Sequence, residues 1–182
     1  MKILFFSDIH GIKKNLSKLK KIIDKEKFDK IIVLGDLYNK DFHNKKGMFD
    51  NEEVYNFLTK YKEKLIITKG NCDSNIEIGN CKVYKDYTSI CVDNICFYLT
   101  HGNEYNYYNS SQFDQKGILI YGHDHIPYIR KKDDMIYICV GSISLPRNDF
   151  GATYMIYENK KFTIYNIDYE IIDEYEIMED MK

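Results

Sequence analysis

Hydrophobic positions change their period near the middle of the chain. In the first half, short apolar runs at 2–6, 31–34 and 65–68 are too dense to alternate and predict buried strands. Two helical stripes separate them. Residues 12–27 carry Ile12, Leu16, Leu19, Ile22 and Ile23 at helical spacing, with lysines on the other face. Residues 51–62 place Val54, Phe57, Leu58 and Tyr61 on one side, with Asn51 as the expected N-cap. This βαβαβ order implies parallel strand pairing.

After residue 80 the pattern becomes mainly β. Thr88–Val92 and Ile95–Thr100 flank Asp93-Asn94, a hairpin signal. Ile126–Lys131 and Met135–Val140 flank Lys132-Asp133-Asp134, and 152–158 and 161–165 flank Asn159-Lys160. A short polar helix is expected near 109–115. Asp168 to Asp180 holds seven acidic residues, and its inner part still alternates, which predicts an exposed edge strand and a frayed tail from about 170. Two sheets face to face with helices outside, in one α/β domain spanning 1–182, is the architecture these elements imply.

Composition narrows the class. Of 182 residues, 44% are hydrophobic and 30% charged, with a net charge of −2. That is too apolar for a disordered chain and carries no basic excess for a dedicated nucleic-acid partner. No apolar run approaches the ~18 residues of a membrane span, and the N-terminus turns polar at Ser7-Asp8 too early for a signal peptide. Five scattered cysteines without CxxC spacing predict reduced thiols and a cytoplasmic location. Assembly into a homo-oligomer stays open.

Five apolar runs end in similar residues. They lead to Ser7-Asp8-Ile9-His10-Gly11, Gly35-Asp36, Gly70-Asn71-Cys72-Asp73, His101-Gly102 and Gly122-His123-Asp124-His125. Sites in α/β folds form where the carboxyl ends of strands converge. Asp, Asn and His together are hard-to-borderline metal ligands. Extended backbone would point Asp8 with His10, and His123 with His125, to one side. Glycines 11, 35, 70, 102 and 122 stand beside these residues, where the chain must turn or approach closely. A single histidine at a strand end is ordinarily structural; four of only five sharing this setting are not.

The order DxH, GD, GNCD, HG, GHxH resembles the calcineurin-like metallophosphoesterases, and within them the small YfcE-type phosphodiesterases. The resemblance runs from the first strand through Gly141-Ser142-Ile143-Ser144. It implies a four-layer αββα sandwich of two mixed β-sheets. It also implies two divalent metal ions: Asp8, His10, Asp36 and His125 would hold one, and Asp36, Asn71, His101 and His123 the other, with Asp36 bridging. Mn²⁺ is the metal it favours, and N/O ligation accepts Fe²⁺, Zn²⁺ or Ni²⁺ as well. The implied reaction is attack of a metal-bridging hydroxide on a small-molecule phosphodiester, with Asp36, Asn71 and His101 at the reacting centre. Two dications against two carboxylates leave the site about +2, which suits a phosphate ester. A phosphomonoesterase would share the same metals. A non-catalytic scaffold resembling the small subunit of retromer is the other class, although all seven ligand positions are kept here.

Several residues depart from the family pattern or lie beside it. Cys72 stands where larger relatives carry a histidine that assists the leaving group, and a buried spacer is its plain alternative. Asp124 either orients a ligand or faces solvent, and Asp73 either supports a ligand or forms a turn. His43 is a proton donor on the 38–50 loop or a surface residue. Arg147 is a phosphate clamp or an exposed loop residue. Tyr105, Tyr107 and Tyr108 stack on an aromatic group of the substrate or simply pack.

Overall fold

The computed structural model describes residues 1–38, 49–74, 76–113 and 116–177. Along the chain lie β1 (Ile3–Phe6), α1 (Leu16–Glu26), β2 (Lys30–Val33), α2 (Asn51–Thr59), a 3₁₀ turn (Lys62–Lys64), β3 (Leu65–Thr68), β4 (Val83–Tyr84) and β5 (Tyr87–Val92). There follow β6 (Ile95–Thr100), β7 (Lys116–Tyr121), β8 (Pro127–Lys132), β9 (Asp134–Val140), β10 (Thr153–Glu158), β11 (Lys161–Asn166) and β12 (Ile171–Glu176).

The strands form two mixed sheets, ordered β12-β11-β10-β1-β2-β3-β4 and β5-β6-β7-β9-β8. β1, β2 and β3 pair in parallel, as the βαβαβ order requires. The three hairpins form at the turns expected from sequence, and Asp93, Asn94, Asn159 and Lys160 adopt the positive φ that tight hairpins need. Alternation along each strand divides the core. Leu4, Phe6, Ile31 and Val33 face α1 and α2. Ile3, Phe5 and Ile32 meet Ile118, Ile120, Ile136 and Ile138 between the sheets. Strands buried on both faces read as continuous apolar runs for this reason. β12 is the exposed edge strand of the larger sheet.

Local details differ from expectation. α1 begins at Leu16 rather than 12, because Ile12 pairs with Phe49 in an isolated bridge and residues 14–15 form a turn. α2 is capped by Asp50, whose side chain accepts the Glu53 N–H at 2.9 Å, so the cap falls one residue before Asn51. The helix expected at 109–115 is replaced by turns over 109–113; residues 114 and 115 lie outside the described residues, as does the tail from 178. The outer face of the second sheet is covered from this turn-rich stretch, with Tyr105, Tyr107 and Phe113 against Leu119, Tyr121, Tyr137 and Cys139.

Cys91 and Cys96 oppose one another across β5 and β6 and form a disulfide, whereas Cys72, Cys81 and Cys139 are not disulfide-bonded. The expectation of five reduced thiols fails at this pair, so cysteine usage no longer argues for a reducing compartment. Among the described residues, no helix is long and apolar enough to cross a membrane.

Candidate metal centre

The carboxyl ends of β1, β2, β3, β6 and β7 meet at one end of the sandwich, and the segments that follow them carry all seven expected ligand residues. Contacts between the sheets and within the larger one fix this meeting. The Leu34 carbonyl, just past β2, accepts from His101 Nδ1 at 2.7 Å. The His123 N–H, past β7, donates to Asp8 Oδ2 at 3.0 Å. Ser7 Oγ donates to the Leu34 carbonyl at 2.8 Å, and Ser142 Oγ donates to the Asp8 carbonyl at 2.9 Å.

The seven residues form two overlapping groups. In one, Asp8 Oδ1 lies 3.1 Å from His125 Nε2 and 3.6 Å from His10 Nε2, and the two histidine nitrogens are 3.3 Å apart. In the other, His101 Nε2 lies 3.1 Å from Asn71 Oδ1 and 3.3 Å from His123 Nδ1. Asp36 Oδ2 joins the groups, 3.6 Å from His10 Nε2 and 3.4 Å from His101 Nε2. Its other oxygen is engaged, accepting the Cys72 N–H at 2.7 Å. One carboxylate oxygen therefore faces both groups.

The backbone that delivers these residues is not extended. Asp8, His10, Asp36, His123 and His125 all have φ between 50° and 61°. The pairing of Asp8 with His10 comes from this left-handed turn, not from strand alternation, and His123 and His125 point into different groups. Left-handed backbone is costly for residues with a Cβ and concentrates where surrounding structure enforces it. Gly70 and Gly122 make the close approach possible: a Cβ on Gly70 would overlap Asp36 Oδ1, and one on Gly122 would overlap Ser7 Oγ.

Hydrogen-bond chemistry tests whether a cation fits. A carbonyl can only accept, so the Leu34 and Leu145 carbonyls fix the proton of His101 and His125 on Nδ1. In the neutral ring, Nε2 of each then presents a bare lone pair. His101 Nε2 faces Asp36 Oδ2 and Asn71 Oδ1, and His125 Nε2 faces Asp8 Oδ1, a buried oxygen without a hydrogen-bond donor among the described residues. Such a gathering of acceptors calls for positive charge between them. Metal ions meet that need with the right donor set.

Protons compete for the same places. Burial disfavours a charged His101, but the Asp36 contact and the charges of Asp8 and Asp36 outweigh it and raise its pKa to about 9. Burial likewise works against a charged His125, and contact with Asp8 overcomes it, raising that pKa. Burial and the neighbouring His101 lower the pKa of His123. Burial would raise both carboxylates, yet their histidine contacts hold Asp8 and Asp36 below the ordinary carboxylate range. The site stays anionic oxygen against basic nitrogen.

The neighbouring residues resolve their sequence alternatives. Asp73 is buried and accepts the N–H groups of Leu37, Gly70 and Tyr38, so it ties the loop after Asp36 to the loop that carries Asn71. Asp124 accepts from the Tyr128 hydroxyl at 2.8 Å. Cys72 comes into the cluster beside His10 and Asp36. Tyr105 and Tyr107 pack over the second sheet, and Tyr108 is exposed. Arg147 is exposed, its backbone N–H bonded to the His125 carbonyl and its charge felt at His125. His43 lies outside the described residues. Ser7, Ser142 and the carbonyls of Leu34 and Leu145 escaped sequence reasoning because small hydroxyls and backbone atoms carry no pattern. A cavity of about 600 Å³ lined by Tyr108, Phe113 and Tyr137 touches none of the seven residues.

The Gly70 geometry carries a direct consequence. Gly70→Ala should push the Asp36 carboxylate out of position and cost about 1–3 kcal/mol as overpacking. Thermal unfolding measures the stability loss and metal titration the weakened binding. Wild-type values for both would show that the neighbouring loop yields freely.

Comparison with known proteins identifies the family and the fold. Residues 1–161 match the family model of the calcineurin-like phosphoesterase superfamily domain. The chain is 25% identical over 168 residues to phosphodiesterase YfcE of Escherichia coli, covering 90% of this chain and 91% of that protein. The solved structure of Yfce, a phosphoesterase from E. coli, superposes with a TM-score of 0.89 at 25% identity, over 98% of this chain and 100% of that one. Wild-type Vps29 from Entamoeba histolytica complexed with Zn²⁺ shares the fold, with a TM-score of 0.63 at 17% identity over 96% and 98% of the two chains.

Proposed function

Since the chain belongs to the calcineurin-like phosphoesterase superfamily, we propose that it hydrolyses small-molecule phosphodiesters at two divalent metal ions held by Asp8, His10, Asp36, Asn71, His101, His123 and His125. The observation that carries the proposal is the position of Asp36 Oδ2 within 3.6 Å of His10 Nε2 and 3.4 Å of His101 Nε2. When bound, two such ions supply Lewis-acid charge for phosphoryl oxygens and lower the pKa of a water to serve as nucleophile. Mn²⁺ fits this donor set, as do Fe²⁺, Zn²⁺ and Ni²⁺.

The chain's own residues prepare the rest. Asp8, His10 and His125 form one three-sided grip, and Asn71, His101 and His123 the other. The Leu34 and Leu145 carbonyls hold the two buried rings in the tautomer that turns a lone pair inward. Ser142 and the His123 amide hold Asp8, and Cys72's amide holds Asp36. The site is thus rigid before substrate arrives, as electrostatic stabilisation of a phosphoryl group requires. Arg147, anchored through the His125 carbonyl, supplies a further cation at the rim for the substrate phosphate.

Ligand binding to the folded state alone should stabilise it. Metal at 100 times its dissociation constant contributes about 2.7 kcal/mol, which for a chain of this size raises the thermal midpoint by roughly 5–10 °C. Scanning calorimetry with chelator and then with excess Mn²⁺ reads this shift directly. Identical midpoints under both conditions would mean that the folded protein holds no Mn²⁺ at this centre.

A further inference from the structure

A cleft of about 300 Å³ opens beside Asn71, walled by the end of β3, the β4–β5 connection and the turn after His101. Lys69, Asn71, Lys85, Asp86, Asn103 and Glu104 line it together with the buried Asp73, whose oxygens already accept three backbone N–H groups, and no apolar side chain does. Its walls are tied to the fold. The Lys69 N–H bonds to the Tyr84 carbonyl at 2.8 Å, and the Thr100 hydroxyl bonds to the Asp86 carbonyl at 3.0 Å. None of the ion pairs among the described residues uses Lys69, Lys85, Asp86 or Glu104. Besides Asp73, four charges outside any ion pair thus stand around a cavity that begins at a proposed metal ligand.

An aryl or alkyl substituent would find little apolar surface here and would strip water from those charges without repaying it. Two ammonium groups suit an anion, whereas carboxylates and a carboxamide suit hydroxyl groups. Resting on the phosphodiesterase reading above, we infer that this cleft seats one substituent of the diester, a sugar or polyol that carries a second phosphate. Lys69 and Lys85 bind that phosphate, and Asp86, Asn103 and Glu104 bind the hydroxyls.

Thymidine 3′,5′-bisphosphate and thymidine 5′-monophosphate differ only in the second phosphate, so their affinity ratio isolates the subsite. Calorimetric titration of the metal-loaded protein should show the bisphosphate binding at least ~10-fold tighter, as charged hydrogen bonds typically give. In Lys69→Ala/Lys85→Ala the ratio should fall close to one, and each Gln single variant should lose part of it. Equal affinities in the wild type, or a preference that survives the double variant, would overturn the inference. The phosphodiesterase reading fails separately, by the wild type not hydrolysing bis(4-nitrophenyl) phosphate whatever this ratio is.

Discussion

Asp36→Asn should lower diester hydrolysis by ~10³ or more while leaving a well-folded protein. The carboxamide oxygen can keep the 2.7 Å bond from the Cys72 amide, which turns the new NH₂ toward His10 and His101. There it becomes a donor to nitrogens now 3.6 and 3.4 Å from Asp36 Oδ2. Metal-free, loss of the carboxylate's charge removes what raises the His101 pKa, so that ring can be neutral and accept from the new NH₂ at Nε2. For a cation it is ruinous, since the shared negative charge is gone and an N–H group stands in its place. Both metal sites should therefore weaken together, and charge neutralisation at phosphorus with them. Metal stoichiometry, kcat/KM and the thermal midpoint of the metal-free protein check the three parts. Two tightly held metals and near-normal turnover would show that Asp36 is not the bridge.

The second large effect concerns the leaving group. Cys72 lies with His10 and Asp36 at the cluster, where the resemblance read from the sequence implies a histidine in larger relatives. A thiol is a poor donor to an alkoxide, so the leaving group must depart largely as an anion. Rate should then fall steeply as leaving-group pKa rises, with nitrophenyl diesters fast and simple alkyl diesters slow. General-acid assistance is typically worth ~10²–10⁴. Cys72→His should rescue alkyl diesters by about that factor and change aryl diesters little. The check is log kcat against leaving-group pKa for both proteins. A flat wild-type line, with binding equal across the series, would mean that another residue donates the proton.

Much of this was legible in the chain because local and global signals coincide. Ile3–Phe6 and Ile31–Leu34 are apolar without alternation because both faces of their sheet are covered, and the turn residues Asp93-Asn94 and Asn159-Lys160 stand where the hairpins close. The seven residues that the structure brings together could be picked out because each follows a strand. What escaped was set by long-range contacts. β4 has only two residues, Val83 and Tyr84, and exists because β3 offers an edge. The left-handed turns at Asp8, His10 and Asp36 are enforced by bonds to partners far along the chain, such as the Ser142 hydroxyl and the Asp36 carbonyl. The Cys91–Cys96 pair follows from the register of a hairpin whose existence was foreseen and whose facing residues were not read out. Asp50 displaced Asn51 as the cap because either side chain suits that role and only the backbone decides.

Hydrolysis carried by two metal ions at the Asp36 bridge is tested by stripping the protein of metal through exhaustive chelation, then restoring Mn²⁺ stepwise while bound metal per chain and hydrolysis of bis(4-nitrophenyl) phosphate are followed together. We predict no hydrolysis above background in the stripped protein, and activity that returns as occupancy approaches two per chain. Hydrolysis that is undiminished after chelation, or that never appears at full occupancy, would contradict it.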